Sequence, residues 1–227
     1  MTCALFGISG LVGSATAPLL AAHFERVLAP VRRPYANHIA KIETPVVDIE
    51  HLSTHHPDLL RGVDVLVYTL GTTLKRAGSA SEFRRIEWSL ATEVLTLARS
   101  SGVRRVVLLS SSGTSPDSLI PYSRVKGQIE RLARDQGFSE LVIAKPSLLV
   151  GDRAETRLIE GLSVKLSSPL LKPLQRWLPK VAPIQDIQVA RALAAAATMS
   201  LGRSVTTLTN PELIELGGPP IRNVITV

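Results

Sequence analysis

The stretch Thr2–Phe24, TCALFGISGLVGSATAPLLAAHF, places a short apolar run, three glycines and a helix-like pattern in direct succession. Gly7, Gly10 and Gly13 follow the spacing Gly-x-x-Gly-x-x-Gly. Between a strand and a helix, such glycines let the backbone turn tightly, approach a pyrophosphate and pack the helix on the strand. The helix would direct its unpaired N–H groups and its positive dipole end at those phosphates. The stretch therefore predicts a dinucleotide-binding turn, with contacts from Gly7, Ser9, Gly10, Leu11, Val12 and Gly13.

Two other interpretations of this stretch stay open. Glycines near an apolar N-terminus can be turn residues only, and the late first charge, Glu25, would fit a secretory signal peptide. The absence of a positively charged n-region and the interruption by Pro18 argue against a signal peptide. Pro18 also argues against a regular first helix, because proline inside a helix removes a backbone hydrogen bond.

Length and composition limit the classes of protein that fit. With 227 residues, 45% of them hydrophobic, the chain suits one large α/β domain and is short for two. A single cysteine, Cys3, excludes an internal disulfide and a cysteine-based zinc site, and we expect a cytoplasmic location. The sequence contains no run of 18 apolar residues, so it predicts no membrane span. The net charge of +7 comes from scattered residues without interleaved aromatics, so we expect no nucleic-acid partner.

The end of the predicted second strand, Arg26–Arg33, bears on cofactor choice. It lies about 20 residues beyond the glycines, where the adenosine ribose is recognised in such folds. An acidic residue there would select NAD, whereas Arg32 and Arg33 can neutralise and bind a 2′-phosphate. NADP is therefore favoured over NAD, with two solvated arginines as the alternative.

A third strand is expected over Pro45–Ile49, and it ends at an acidic residue. Asp48 could accept a hydrogen bond from the adenine amino group, with Ile49 beside it. The following His51, His55 and His56 lack the carboxylate pattern typical of a metal site. We expect solvated loop histidines and no metal.

The apolar run Asp64–Leu70 predicts a buried parallel strand. Ligands of open parallel sheets lie at the carboxyl ends of strands. Leu70, Gly71, Thr72 and Thr73 are therefore expected beside the cofactor. Ser81 is expected to cap a long helix that ends near Arg99.

The strand predicted over Val103–Leu109 ends in three hydroxyls and precedes a tyrosine–lysine pair. Tyr122 and Lys126 are four residues apart after Pro121, so phenol and ammonium share one face of a helix. A nearby ammonium stabilises a phenolate and lowers the pKa of a phenol, which makes Tyr122 a candidate general acid/base. A serine from the preceding strand end could hold a substrate carbonyl, and an ordinary surface helix is the alternative for an isolated Tyr-x-x-x-Lys.

These motifs resemble an atypical short-chain dehydrogenase/reductase, and within that class the Tat-interacting-protein-like branch of NAD(P)-binding proteins. The resemblance covers about residues 3 to 210, and it rests on Leu70-Gly71-Thr72-Thr73 with Lys75, Ala77 and Gly78, Leu108-Leu109-Ser110-Ser111, Tyr122-Ser123-Arg124-Val125-Lys126-Gly127 and Lys145-Pro146-Ser147-Leu148-Leu149-Val150-Gly151-Asp152-Arg153. It implies a catalytic set of serine, Tyr122 and Lys126. The wider superfamily points to Ser112 as the substrate-facing hydroxyl and the branch to Ser111. Relatives with reductase chemistry usually carry an asparagine where this chain has Glu87, which puts a proton relay through that position in doubt.

The remaining chain completes the predicted fold. A strand over Leu141–Ala144 would place Pro146 and Ser147 against the nicotinamide. Residues 152–182 are expected to form a small substrate-side lobe, with helix patterns near 155–166 and 171–178. An alanine-rich helix over Ile187–Met199 and a strand over Val205–Leu208 follow.

Together these features predict one α/β domain over residues 1–227. We expect a Rossmann-type, doubly wound, mainly parallel sheet of six or seven strands with helices on both faces. The predicted function is an NADP-dependent oxidoreductase acting on a small carbonyl or alcohol. The alternative is a non-catalytic, redox-sensing regulator that binds NADP(H) and a protein partner. The sequence does not identify the substrate or the oligomeric state.

Overall fold

A computed structural model of the chain describes residues 1–150, 173, 175–200 and 202–219. A parallel sheet of seven strands forms its centre, in the order β3-β2-β1-β4-β5-β6-β9. These strands are β1 (Thr2–Phe6), β2 (Arg26–Leu28), β3 (Ile42–Glu43), β4 (Val65–Tyr68), β5 (Arg105–Leu109), β6 (Glu140–Lys145) and β9 (Val205–Thr209). Two further short strands, β7 (Leu149–Val150) and β8 (Ile184–Gln185), pair with each other in parallel. The expected Rossmann-type sheet is confirmed.

Seven α-helices of the described residues surround this sheet: α1 (Leu11–His23), α2 (Leu52–His55), α3 (Leu74–Ala77), α4 (Ala80–Ser100), α5 (Pro121–Asp135), α6 (Asp186–Thr198) and α7 (Asn210–Gly217). One face of the sheet packs with α1 and α6 in an apolar core that includes Leu20 and Leu193. The other face packs with α4 and α5 in a second core that includes Phe83 and Ile129. The two layers match the doubly wound architecture, and strands buried on both faces explain the continuous apolar runs in the sequence.

The order of the strands fixes where a ligand can enter. The chain builds β1, β2 and β3 outward in one direction, then returns to place β4 on the other side of β1. The connections after β1 and β4 therefore diverge to opposite faces, which opens a crevice at the carboxyl ends of these two strands. That crevice lies between the glycine turn and the segment after Tyr68.

Three local expectations differ from the structure, and the first concerns the second strand, which ends at Leu28 and not at Arg33. The third strand is Ile42–Glu43, while residues 45–49 contribute only a bridge between Val46 and Val31 before a 3₁₀ turn begins at Ile49. Proline has no N–H for a sheet ladder, so Pro30 and Pro45 confine regular pairing to shorter strands at this edge. Ser79, not Ser81, caps α4 by accepting a hydrogen bond from the backbone N–H of Glu82 at 3.1 Å.

Pro18 does not end the first helix. It lies on the exposed side of α1, which continues to His23. The side facing the sheet is buried, so tertiary packing holds the helix together despite the missing backbone hydrogen bond.

The predicted substrate-side lobe falls largely outside the described residues. The helix expected near 155–166 lies wholly outside them, and in the second piece residues 175–177 are helical. Within the part of the chain that the structure describes, no helix is both long and apolar enough to span a membrane.

Candidate active site

The turn between β1 and α1 requires glycine for steric reasons. Gly7 has a left-handed φ of 105°, and its carbonyl accepts a hydrogen bond from the Gly10 N–H at 2.9 Å. A Cβ atom on Gly13 would lie 2.1 Å from the Gly7 oxygen, closer than any side chain can approach. A Cβ atom on Gly7 would lie 2.6 Å from Thr69 Oγ1. The glycines therefore bring α1, β1 and the end of β4 into direct backbone contact.

The same packing leaves the N-terminus of α1 suited to an anion. Gly10 is the N-cap residue and no side chain caps the helix there. Val12 is buried, Leu11 is half-buried and Ser9 is exposed. Backbone N–H groups and the helix dipole are the groups that this turn offers to a phosphate, so the predicted cofactor residues fit a pyrophosphate.

The segment after β4 lies against this turn. Thr69 donates from its hydroxyl to the Phe6 carbonyl at 2.8 Å, which joins the ends of β4 and β1. Leu70, Gly71, Thr72 and Thr73 follow and are half-buried, and Thr73 caps α3 by accepting a hydrogen bond from the Arg76 N–H. The structure therefore brings two of the predicted cofactor segments together at the carboxyl edge of the sheet.

A third predicted segment follows β2, which ends at Leu28. Arg32 and Arg33 are exposed, and Arg32 lines a groove of about 360 Å³ with Val46, Val47, Asp48 and His56. Ile49 behaves differently, because its side chain is only 2% exposed and belongs to the core. A nucleotide could contact Ile49 through its backbone alone.

Asp48 has close partners that the sequence did not reveal. Its Oδ1 accepts a hydrogen bond from the Glu50 N–H at 3.1 Å, and its Oδ2 lies 2.7 Å from His51 Nδ1. The hydrogen bond to His51 lowers the pKa of the Asp48 carboxyl, and the same bond raises the pKa of His51. His55 also approaches Asp48, so two of the histidines expected to be solvated in a loop share a carboxylate.

Lys126 forms a buried ion pair. Its Nζ lies 2.7 Å from Glu87 Oε2, and the two side chains are 8% and 1% exposed. The other carboxylate oxygen of Glu87 accepts a hydrogen bond from the Thr72 N–H at 2.5 Å. A Cβ atom on Gly71 would lie 3.4 Å from Lys126 Nζ, so the ammonium group lies beside the end of β4. Glu87 thus connects the predicted catalytic lysine to the predicted cofactor segment.

Tyr122 lies one turn before Lys126 at the start of α5. Pro121 occupies the first turn of this helix, as expected. The Tyr122 side chain is half-buried, and its ring centroid lies 5.5 Å from that of Phe83 on α4. The shared helix fixes the spacing of phenol and ammonium.

The three serines after β5 have different surroundings. Ser110 is buried and donates to Glu130 Oε1 at 2.5 Å, and Lys145 Nζ lies 3.0 Å from the other oxygen of Glu130. Ser111 is half-buried and Ser112 is exposed, while the Ser112 N–H donates to the Pro146 carbonyl at 2.8 Å. Ser110 therefore has a structural role, and Ser111 and Ser112 stay as the candidates for a substrate contact.

Pro146 and Ser147 follow β6 at the same edge of the sheet. The Ser147 hydroxyl donates to the Ala182 carbonyl, and its N–H donates to Asn210 Oδ1 at 2.9 Å. These bonds hold the segment onto the loop before β8 and onto α7. Contact of this segment with a nicotinamide stays a prediction.

The sequence pattern did not reveal Glu130 and Lys145 as partners, and Glu87 stood out in it only as a departure from a family pattern. Glu130 lies one helical turn after Lys126, so its position on the inner face of α5 could have been derived from spacing. Its pairing with Lys145 of β6 depends on the tertiary structure.

Curated proteins of several fungi are similar to this chain in sequence. The chain is 31% identical to "Protein FMP52, mitochondrial" of Coccidioides immitis, over 95% of this chain and 96% of that protein. It is 39% identical to "Protein fmp52-1, mitochondrial" of Aspergillus terreus, over 70% of this chain and 71% of that protein. These names contradict the cytoplasmic location expected from the sequence. One buried cysteine indicates the absence of disulfides, and it does not distinguish between compartments.

A solved structure and a family model agree with the fold. The structure of "MoeE5 in complex with UDP-glucose and NAD" superposes with a TM-score of 0.69 at 18% identity, over 96% of this chain and 81% of that one. At this identity the match shows the fold alone. The model of the "NAD dependent epimerase/dehydratase family" matches residues 3–168, which include the glycine turn and the Tyr122–Lys126 pair. The chain belongs to the NAD-dependent epimerase/dehydratase family, with fungal FMP52 proteins among its relatives.

Proposed function

We propose that the chain is an atypical short-chain dehydrogenase/reductase that interconverts a small carbonyl compound and its alcohol. The observation that carries the proposal is the position of Lys126 Nζ, beside Gly71 at the end of β4 and one helical turn from Tyr122. The ammonium group of the tyrosine–lysine pair therefore lies at the crevice edge that the glycine turn also reaches.

Each side chain has a distinct role in this proposal. A bound nicotinamide would donate or accept the hydride. Tyr122 gives its phenolic proton to the substrate oxygen during reduction and takes it back during oxidation. Ser111 or Ser112 donates a hydrogen bond that orients that oxygen, and Lys126 stabilises the phenolate and can bond to the nicotinamide ribose. The Gly71–Thr73 segment and the α1 N-terminus bind the rest of the cofactor.

We propose NADP(H) as the preferred cofactor. Support comes from the exposed Arg32 and Arg33, four and five residues after β2, with Arg32 on a shallow groove that it shares with Asp48. Guanidinium groups bind phosphate through paired, charge-assisted hydrogen bonds, and NAD carries no 2′-phosphate to use them. Asp48, on the same groove, is the proposed partner of the adenine amino group.

Calorimetric titration with NADPH and with NADH tests this choice. We expect tighter binding of NADPH, and we expect the Arg32→Ala, Arg33→Ala double variant to lose about tenfold or more of that affinity, because hydrogen bonds to charged groups contribute about 1.5–3 kcal/mol. The NADH affinity should change little. The Arg61→Ala, Arg203→Ala variant removes the same charge from exposed residues that precede β4 and β9. Equal losses in both double variants, or tighter binding of NADH by the parent, would contradict the NADP preference.

Turnover is tested by following the oxidation of NADPH, or of NADH if that is the nucleotide that binds, in the presence of small aldehydes and ketones. The Tyr122→Phe variant should keep nucleotide affinity and lose at least about a hundredfold in kcat, because general acid–base catalysis contributes about 10²–10⁴ in rate. Tyr35→Phe is the control, since Tyr35 packs against the core near β2. Unchanged kcat in Tyr122→Phe would exclude the proposed role of the phenol.

A non-catalytic NADP(H)-binding regulator is the second candidate, and the Glu87–Lys126 pair favours it. A carboxylate 2.7 Å from Nζ neutralises the charge that would otherwise stabilise a phenolate. Cofactor binding with no turnover in the parent, and no effect of Tyr122→Phe on binding, would support this candidate. A redox response through Cys3 is disfavoured, because burial raises the pKa of its thiol far above the ordinary value.

We also propose a mitochondrial location, because the FMP52 relatives carry that location in their names. Expression of the chain with a C-terminal fluorescent protein, followed by cell fractionation, tests it. Recovery in the mitochondrial fraction is expected, and recovery in the cytosol would contradict the proposal.

A further inference from the structure

We propose that Asp48, His51 and His55 form a binding site for a divalent transition-metal ion of the Zn²⁺ type. One carboxylate and two imidazoles supply ligand atoms that all lie within 4.8 Å of one another. The set matches the ligands of open zinc sites, in which three side chains bind and water takes the fourth position. The proposal does not depend on the proposed enzymatic function, and a metal on Asp48 would compete with the adenine contact proposed above for the same side chain.

Local backbone structure brings the three side chains together. The 3₁₀ turn Ile49–His51 continues directly into α2, so His51 and His55 are one helical turn apart. Asp48 precedes this turn as its N-cap, with Oδ1 bound to the Glu50 N–H. This bond fixes the carboxylate and directs Oδ2 toward the two imidazoles.

The distances require only small side-chain rotations to bind a metal. Asp48 Oδ2 lies 2.7 Å from His51 Nδ1 and 3.9 Å from His55 Nδ1. In a tetrahedral site with metal–ligand bonds of 2.0–2.1 Å, two ligand atoms are about 3.3 Å apart. This separation lies between the two nitrogen–oxygen distances observed here. All three side chains are exposed, so their rotation meets little resistance.

A hydrogen-bonded turn without a metal explains only part of this arrangement. It accounts for the Asp48–His51 pair, whose members are within hydrogen-bond distance. It leaves His55 without a hydrogen bond to that oxygen, since its Nδ1 lies 3.9 Å away while its ring lies 5.5 Å from that of His51. A shared cation gives all three groups one partner.

The surrounding charge favours a cation. Glu50 and Glu93 act on His51 through their negative charge. Glu93 lies on α4 and accepts a hydrogen bond from the Ser53 N–H at 2.9 Å, and Glu50 lies 3.5 Å from Arg85. Three carboxylates therefore surround two histidines in a chain whose net charge is +7. Arg85 offsets the charge of Glu50, so Asp48 and Glu93 are the carboxylates whose negative charge favours a divalent ion here.

Calorimetric titration of the full chain with ZnCl₂, without a polyhistidine tag and without nucleotide, tests the proposal. We expect saturable binding of one ion, and a roughly tenfold or greater loss of affinity in His51→Ala and in His55→Ala. His23→Ala is the matched control, since His23 is an exposed histidine in the last turn of α1. MgCl₂ should not bind measurably, because Mg²⁺ prefers an all-oxygen octahedron.

A second readout separates lost ligands from lost folding. Zn²⁺ that binds only the folded chain raises the unfolding temperature, and this increase should vanish in His51→Ala and His55→Ala while their metal-free unfolding temperatures stay near that of the parent. Co²⁺ in place of Zn²⁺ should give the visible absorption of a four-coordinate site. Equal Zn²⁺ affinity in the parent, His51→Ala and His55→Ala, or no saturable binding by the parent, would overturn the proposal.

Discussion

Glu87 changes what the tyrosine–lysine pair can do. A neutral asparagine at this position would leave the lysine its full charge, whereas here a buried carboxylate lies 2.7 Å from Nζ. Because both groups are removed from water, each depends on the other for its charge to be tolerated. Burial raises the pKa of the Tyr68 phenol, and the negative charge of Glu87 raises it further. The charge of Glu87 on α4 therefore acts on both Tyr68 of β4 and Lys126 of α5.

We predict strong coupling between Glu87 and Lys126 in a double-mutant cycle. Glu87→Gln and Lys126→Met should each destabilise the fold by about 3–5 kcal/mol, because each leaves one buried charge unpaired. The double variant should be much less destabilised than the sum, since it carries neither charge. The measurement is denaturant unfolding of all four proteins at neutral pH.

Glutamine at position 87 still accepts the hydrogen bond from the Thr72 N–H, so the cycle isolates the charge pair. A control cycle on Glu82 and Arg85, an exposed pair on α4, should show much weaker coupling, because water screens the two charges. Additive effects of Glu87→Gln and Lys126→Met would show that the pair does not interact in solution.

The first helix depends on its glycines more than on its helical propensity. Proline inside α1 and the lack of a side-chain cap both weaken the isolated helix. Close contact with β1 at Gly13 and burial against α6 compensate for them. The same contact holds the helix N-terminus at the phosphate site.

Gly13→Ala and Gly10→Ala should therefore have unequal effects. The added Cβ at position 13 would lie 2.1 Å from the Gly7 oxygen, so the backbone must move. We therefore expect the free energy of unfolding to fall by at least about 3 kcal/mol and nucleotide binding to be lost. The Cβ at position 10 would lie 3.2 Å from the same oxygen, and a loss of about 1 kcal/mol or less is expected. Thermal unfolding and NADPH titration measure both effects. Equal tolerance of the two substitutions would contradict the tight helix–strand contact.

The sheet and its outer layer are joined by polar contacts at the edge opposite the candidate site. Arg105 at the start of β5 donates to Glu140 Oε2 of β6 at 2.9 Å and to the Ala197 carbonyl of α6 at 2.8 Å. Glu140 also accepts from the Ser200 hydroxyl at 2.9 Å. These bonds link two strands, a helix and the loop before β9.

This linkage predicts a pH-dependent contribution to stability. The hydrogen bond from Arg105 lowers the pKa of the Glu140 carboxyl from its ordinary 4.5. The pair therefore stabilises the fold above that value, and its contribution is lost as the pH falls through the lowered pKa. Glu140→Gln should lower the free energy of unfolding by about 1–2 kcal/mol at pH 7, a figure that allows for solvent screening. The difference in stability between this variant and the parent should become smaller in acid.

Denaturant unfolding between neutral and acid pH provides the measurement. Glu25→Gln is the control, because the Glu25 side chain is 87% exposed in its ion pair with the N-terminus. A difference between Glu140→Gln and the parent that stays constant across this range would show that ionisation of Glu140 does not contribute.

The order of apolar runs and glycines was sufficient to predict the fold, because parallel strands buried on both faces leave a continuous pattern in sequence. The Tyr122–Lys126 spacing was equally accessible, since helical geometry makes residues four apart neighbours. At the sheet edge the predicted third strand was displaced from Ile42–Glu43, because the local pattern does not show where pairing with β2 begins.

The sequence by itself determined the α/β class, the glycine turn and the shared helix face of Tyr122 and Lys126. Only the tertiary structure decided the partners of these groups. Glu87 and Lys126 are separated by 39 positions, and the packing of α4 against α5 brings them together. Asp48 acquires its histidine neighbours through a 3₁₀ turn that the sequence pattern had assigned to a strand end. Periodicity records which side of an element is buried, whereas the pairing of charges depends on how separate elements pack in three dimensions.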